Sequence, residues 1–274
     1  DSGATGALDV RAVRDIELLG GDSSLTGGEG SASFAQIGHG GARVSGSDSG
    51  NINVKAGRNI VITAGQSAYD YAQIGNGGDS ATGNYTGSIA VVAGGAISLT
   101  GAPDYAQLGN GGWHTGGSSG RINVTATGNI TLTAAAFNDW GYAQIGNGGG
   151  ASTGATSGNI SVATNGTLAL IAGNNGLYAQ IGNGGDRTSS SNTATGNITV
   201  AAGNLTLTGA SSLNAGQGYA LIGNSAVHNS SVANSGVASG NISINVKGQT
   251  KVQMTDGAGE AWIGNVAIGG TETG

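Results

Sequence analysis

The chain has 274 residues, of which 57 are glycine and 9% are charged, and its formal net charge is −6. Its nine lysines and arginines are too few for the basic patches that nucleic acid or an anionic membrane surface requires, and it has no cysteine for disulfides or thiol chemistry. No apolar run approaches the ~20 residues of a membrane span, so we expect neither a nucleic-acid partner nor membrane insertion.

The first predicted element of each repeat is a short run in which aliphatic residues alternate with other residues. A period of two is typical of a β-strand with one buried face. The aliphatic pairs of this run are Leu8/Val10, Ile52/Val54, Ile89/Val91, Ile122/Val124, Ile160/Val162, Ile198/Val200 and Ile242/Ile244.

A second alternating run follows each of these after a glycine-containing corner. It predicts a second strand, with the aliphatic pairs Ile16/Leu18, Ile60/Ile62, Ile97/Leu99, Ile130/Leu132, Leu168/Leu170, Leu205/Leu207 and Val252/Met254.

The third element is the octet YAQIGNGG. It stands at residues 71–78, 142–149 and 178–185 and, as YAQLGNGG, at 105–112. Related segments begin at Phe34, Tyr219 and Glu260, which makes seven copies spaced 34 to 41 residues apart. We expect a third strand here, and the glycine pairs that follow it suit a sharp corner.

These elements predict an all-β protein: a single right-handed parallel β-helix of about seven coils, with three short strands per coil. We expect one domain, residues 1–274, with coils near 7–41, 50–78, 87–112, 120–149, 158–185, 196–224 and 240–270. A rival interpretation makes each repeat two coils. One coil is preferred because only that register stacks identical residues. Neither end shows a capping helix or a charged edge, so the chain is expected to be a segment of a longer protein.

Alternation also assigns a direction to each side chain of the octet. If Ile74 faces the core, Asn76 shares its side, while Tyr71 and Gln73 point outward. Stacked inward amides would hydrogen-bond one another and the turning backbone. The predicted structural ladder consists of Asn76, Asn110, Asn147, Asn183, Asn224 and Asn265.

The outward residues predict an exposed strip of aromatic rings and amides. It would comprise Tyr71, Tyr105, Tyr142, Tyr178 and Tyr219, with Gln73, Gln107, Gln144 and Gln180 beside them. Two interpretations stay open: a ladder that reinforces the strands, or a ligand-binding surface for an extended polysaccharide or for the same strip on another copy. Trp113, in a corner loop, is a further candidate that would either stack on a sugar ring or fold down over the adjacent coil.

Catalysis and metal binding find little support in the sequence. Asp70 and Asp104 hold equivalent positions and would lie ~5 Å apart, a separation compatible with paired-carboxylate glycoside chemistry. No other acid or base joins them, and the histidines fall in different coils, so we expect no enzyme activity, no cofactor and no metal site.

The runs GNITLTA at 128–134 and GNITVAAGNLTLTG at 196–209, together with the YAQIGNGG octets, resemble the repeat region of filamentous haemagglutinin-like exoproteins. The resemblance implies a secreted or bacterial cell-surface adhesin, exported with an outer-membrane secretion partner and acting in cell or biofilm-matrix adhesion. Its expected partners are a polysaccharide or glycan, or another adhesin copy. The alternatives are an inert stalk of a larger exoprotein and, less favoured, a polysaccharide-degrading β-helix enzyme.

Overall fold

The computed structural model describes residues 3–22, 32–67, 69–101, 103–135, 141–174, 177–188, 192–210, 218–226, 236–255 and 259–267. Within these ranges the chain forms strands and no helix. Most strands lie in four sheets, each built from one strand of successive coils. Residues 268–270 of the last predicted coil lie outside the described part.

The first and second sheets each contain seven parallel strands. The first sheet comprises β1 (Leu8–Ala12), β5 (Ile52–Ala56), β9 (Ile89–Ala93), β13 (Ile122–Ala126), β17 (Ile160–Thr164), β22 (Ile198–Ala202) and β27 (Ile242–Val246). The second comprises β2 (Ile16–Leu19), β6 (Ile60–Thr63), β10 (Ile97–Gly101), β14 (Ile130–Ala134), β18 (Thr167–Ile171), β23 (Asn204–Gly209) and β28 (Thr250–Met254).

The third and fourth sheets are built from shorter strands. The third comprises β3 (Ala35–Ile37), β7 (Ala72–Ile74), β11 (Ala106–Leu108), β15 (Ala143–Ile145), β19 (Ala179–Ile181), β24 (Tyr219–Ile222) and β29 (Glu260–Ile263). The fourth comprises β4 (Asp48–Ser49), β8 (Tyr85–Thr86), β12 (Ser118–Ser119), β16 (Thr156–Ser157), β21 (Thr193–Thr195) and β26 (Val237–Ser239). A further pair joins β20 (Gly184–Gly185) to β25 (Ser225–Ala226).

The pairing register shows one coil per repeat. Ile97 of β10 pairs with Ile60 on one side and Ile130 on the other, so equivalent residues of neighbouring repeats stack directly. The predicted all-β parallel β-helix of about seven coils is therefore confirmed. The three strands predicted for each coil are present, and the structure adds a fourth, short strand after the glycine corner of most coils. A strand of two or three residues is too short to show an alternating pattern in the sequence.

The aliphatic residues of the first three sheets meet inside the coils. Ile62, Ile74 and Val91 are fully buried, as are their counterparts in the central coils. Burial of each such side chain stabilises the fold by ~1.5 to 3 kcal/mol. In the last coil Val252 and Met254, which alternation placed inside, are 46% and 58% exposed because no described coil covers them.

The asparagine side chains lie at the corner after the third sheet and connect neighbouring coils. Asn147 Nδ2 donates to the carbonyls of Gly120 (2.7 Å) and Ser157 (3.0 Å), and its Oδ1 accepts the backbone N–H of Asn110 (3.2 Å). Equivalent bonds are made by Asn76, Asn110, Asn183 and Asn224, and in part by Asn265. Each amide thus pairs backbone groups that would otherwise be buried without partners.

Candidate ligand site beside the buried tyrosine stack

The tyrosines and glutamines of the octet do not form an exposed strip. The burial of these residues contradicts their predicted outward exposure, and with it the predicted ligand-binding surface. The exposed fraction of their side chains is at most 4% for Tyr71, Tyr105, Tyr142, Tyr178 and Tyr219 and zero for Gln73, Gln107, Gln144 and Gln180.

The glycine-rich segment that follows each octet strand covers these residues. The Tyr71 hydroxyl lies so close to Gly78 that a Cβ added to this glycine would stand 2.6 Å from it. Gln73 Nε2 donates to the carbonyls of Gly109 (2.9 Å) and Gly111 (3.0 Å) of the next coil. Alternation was correct in placing Tyr71 opposite the aliphatic core, but this side faces a second protein layer instead of water.

The buried rings form one continuous stack. From Phe34 to Tyr219 the centroids of successive rings are 4.7 to 5.0 Å apart, and neighbouring planes differ by at most 7°. Phe34, at one end, is 40% exposed. Burial raises the pKa of the Tyr105 and Tyr142 hydroxyls well above the ordinary value, so these rings stay neutral. The stack packs in a second hydrophobic cluster, separate from the aliphatic core.

Trp113 belongs to this second cluster and borders a cavity. Its side chain is 8% exposed, and its ring lies so close over Gly150 that a Cβ there would overlap it. Of the two positions considered for this tryptophan, the structure shows the one folded down over the adjacent coil. The neighbouring cavity has a volume of about 210 Å³, and its walls include Tyr69, Asp79, Pro103, Asp104, Trp113 and His114.

Two buried carboxylates line this cavity. Asp104 is 3% exposed; its Oδ1 accepts the Tyr105 N–H (2.7 Å), and its Oδ2 has no hydrogen-bond partner. Asp79 is 5% exposed and accepts the Ser80 hydroxyl (2.8 Å). Burial, and secondarily the charge of Asp79, raises the pKa of Asp104 well above the ordinary value. Burial raises the pKa of Asp79 to about 6, although the Ser80 hydrogen bond and the charge of Arg43 oppose the change.

The structure places Asp70 near this pair without making it part of the cavity wall. Asp70 is fully buried, its Oδ1 accepts the Ser33 N–H (3.0 Å), and its charge contributes to the raised pKa of Asp104. The sequence therefore singled out Asp70 and Asp104 as a possible pair but missed Asp79. The available signal was the Gly-Gly-Asp run at 77–79, which recurs at 184–186. Among the described residues, no group of three or more His, Cys, Asp or Glu is arranged to hold a metal ion.

The raised carboxyl pKa values predict that the protein is more stable in mild acid than at neutral pH. Because the pKa of Asp79 rises from 3.8 to about 6 on folding, the folded state binds the proton more tightly. The stabilisation is complete below the unfolded pKa and is lost as pH rises to about 6, a change of at most about 3 kcal/mol. Asp104 and Asp186 act in the same direction.

Urea unfolding between pH 4 and pH 7.5 measures this dependence. Asp79→Asn should raise the stability at pH 7 and flatten the pH dependence, since the neutral amide has no charge to desolvate. The same slope in the parent chain and in this variant would contradict the assignment.

Comparison of the chain with protein-family models, with curated proteins and with solved structures found no match in any of the three. The described ranges also contain no helix long and apolar enough to cross a membrane.

Proposed function

We propose that the chain is a rigid, non-enzymatic rod segment of a large adhesin-type bacterial exoprotein, secreted or carried on the cell surface. The observation that supports this most directly is the stacking of equivalent positions in register through seven coils, with the same residue types in the central coils. In such a solenoid each coil is stabilised by its neighbours, so the assembly is stiff along its axis and can be extended by adding coils.

The composition of the outer face of the first sheet supports the proposal that the chain is a spacer. Its outward side chains are mostly small or polar and partly or fully exposed, as at Asn53, Asn123, Thr125, Ser161, Ala163, Thr199 and Ala201, and Val92, 41% exposed, is the larger apolar exception. The octet aromatics, which would have suited an extended polysaccharide, lie inside. Since solubility is the main demand on the surface of a spacer, this composition favours the stalk over glycan contact through a flat face.

The carboxylates near the octet support a non-enzymatic role. A glycoside-cleaving pair needs one acid and one base that both reach the sugar. Asp70 is fully buried and holds the backbone of the preceding coil through Ser33, so it is unavailable to a substrate. One carboxylate oxygen of Asp104 accepts a hydrogen bond from the backbone N–H of the next residue, Tyr105.

Surface location and export with an outer-membrane partner rest on the resemblance of the repeats to haemagglutinin-like exoproteins. Within that class, a rod positions a binding region located elsewhere in the protein. Binding of a glycan or of a second copy by the chain itself is the competing proposal.

Removal of one complete repeat tests the rod proposal. Deleting residues 105–141 joins Asp104 to Tyr142, so that Ile145 would stack on Ile74 in the register of the parent chain. We expect a folded protein with cooperative unfolding, shorter along its axis by ~4.8 Å in small-angle X-ray scattering. A chain that fails to fold would contradict the modular rod.

A glycan array then separates the rod from the adhesin. A spacer predicts no saturable binding by either the parent chain or the shortened chain. Saturable binding of the parent chain to any glycan would contradict the spacer and favour direct adhesion.

A further inference from the structure

We propose that the cavity beside Trp113 binds a primary ammonium group on a short aliphatic stem, with the carboxylates of Asp104 and Asp79 as its acceptors. The inference does not depend on the rod proposal, because it concerns one corner of the β-helix and applies equally to a stalk or to an adhesin.

The first argument is the unused hydrogen-bonding capacity of Asp104. This residue lines the cavity, is almost fully buried, and leaves Oδ2 without a donor. A buried carboxylate oxygen without a donor is costly, and a group that supplies an N–H recovers part of that cost. Asp79 contributes a second carboxylate to the same cavity.

The second argument is the charge around the cavity. The charges of Asp79 and Asp70 act on Asp104, and Arg43 is the cation that acts on Asp79. Burial lowers the pKa of His114, so this side chain adds no positive charge near neutral pH. The adjoining tyrosines Tyr71 and Tyr105 stay neutral because burial raises the pKa of their hydroxyls. A cationic ligand therefore complements the charge of the ionised Asp79 near neutral pH, and it favours the ionised form of Asp104, whose pKa is raised by burial.

The third argument is the shape and chemistry of the walls. Tyr69, Pro103 and Trp113 supply apolar surface beside the two carboxylates. The Arg43 guanidinium already lies 4.0 Å from the centroid of the Tyr69 ring, so one aromatic face at this corner holds a cation. A volume of about 210 Å³ suits a head group with a short stem better than an extended chain.

An ammonium group fits this site better than a neutral sugar. It carries three donors and no acceptor, and ionised carboxylates are acceptors only. A sugar hydroxyl would leave the desolvated charges uncompensated and would bind best when the acids are protonated. The two ligands thus predict opposite pH dependences. Ammonium affinity rises as pH increases through the pKa of Asp79, about 6, and sugar affinity falls.

Titration of the intact chain with n-butylammonium chloride tests the proposal. The indole N–H signal of Trp113 in ¹H–¹⁵N spectra, assigned with Trp113→Phe, should shift and saturate at pH 7.5. At pH 5 the affinity should be about tenfold lower, because most of Asp79 is then protonated. Asp104→Asn and Asp79→Asn should each weaken binding at least tenfold. Both changes remove a buried charge, so the variants are expected to fold, which circular dichroism checks.

Asp186→Asn is the matched control. Asp186 follows a glycine pair as Asp79 does, but its carboxylate pairs with Arg187 (3.6 Å) and does not line the cavity. This variant should bind n-butylammonium as the parent chain does. Equal shifts with n-butanol, or unchanged affinity in Asp104→Asn, would overturn the proposal. So would an affinity that falls as pH rises, or saturable binding of methyl α-glucoside in place of the amine.

Two further ligands distinguish the sources of the ammonium group. Nα-acetyl-lysine amide presents it on a flexible aliphatic stem, and glucosamine presents it on a sugar ring. Because we propose an aliphatic stem, we expect the lysine derivative to bind more strongly than glucosamine. Stronger binding of glucosamine would overturn the aliphatic stem.

Discussion

Replacing Tyr142 with alanine should lower the free energy of unfolding by about 3 to 5 kcal/mol. The ring is fully buried between Tyr105 and Tyr178, whose centroids lie 4.9 Å and 4.7 Å away. Alanine would leave a cavity in the middle of the stack, and the neighbouring rings cannot close it because the strands of the third sheet fix their spacing. Urea unfolding followed by circular dichroism measures the change.

Two control variants separate burial of the ring from other effects. Tyr142→Phe keeps the ring and removes only a hydroxyl that lies 3.4 Å from Gln107 Oε1, so it should cost about 1 kcal/mol or less. Phe34→Ala removes a ring from the 40% exposed end of the same stack and should cost less than Tyr142→Ala. A cost below about 1 kcal/mol for Tyr142→Ala would mean that the outer side of the strand is open to water, as alternation alone suggested.

The sequence predicted the coil well because stacking repeats each local environment. Ile74, Leu108 and Ile145 recur at one position per repeat, and a residue type that recurs in this way indicates both the strand and its register. The asparagines followed from the same argument, since an inward amide beside a corner needs backbone partners, which Asn147 finds in the carbonyls of Gly120 and Ser157.

The second layer was not predicted because alternation states only which side of a strand a residue occupies. It does not say whether that side faces water or more protein. Two signals were available: the octet carries no charge at the outward positions of Tyr71 and Gln73, and each of the four octets ends in a glycine pair. The glycines allow the returning backbone to approach the ring, as the contact between Gly78 and the Tyr71 hydroxyl shows.

The cavity was missed for a related reason. Asp79 and Asp104 are 25 positions apart in the sequence and come together only because the corner loop of one coil lies beside the strand of the next. A periodic pattern predicts contacts between equivalent positions, such as Asp70 with Asp104. It does not predict contacts between different positions of neighbouring repeats.

Replacing Gly146 with alanine should destabilise the protein by at least about 3 kcal/mol, through overlap between coils. A Cβ on Gly146 would overlap the carbonyl oxygen of Gly182 in the next coil. Relief would require moving the coils apart, which would strain the hydrogen bond from the Gly182 N–H to the Ile145 carbonyl (3.0 Å). The same overlap with the following coil would occur for a Cβ added at Gly38, Gly75, Gly109, Gly182 and Gly223.

Gly264→Ala is the matched control for this overlap. Gly264 holds the equivalent position in the last coil, where an added Cβ would meet no atom within 4 Å. Gly264 has a φ of 158°, a backbone conformation that is strained for alanine. This strain further destabilises Gly264→Ala, so the difference in the free energy of unfolding between the two variants is a lower bound on the cost of the overlap. Thermal and urea unfolding of both variants measure this difference. A Gly146→Ala variant as stable as the parent chain would contradict the overlap between successive coils.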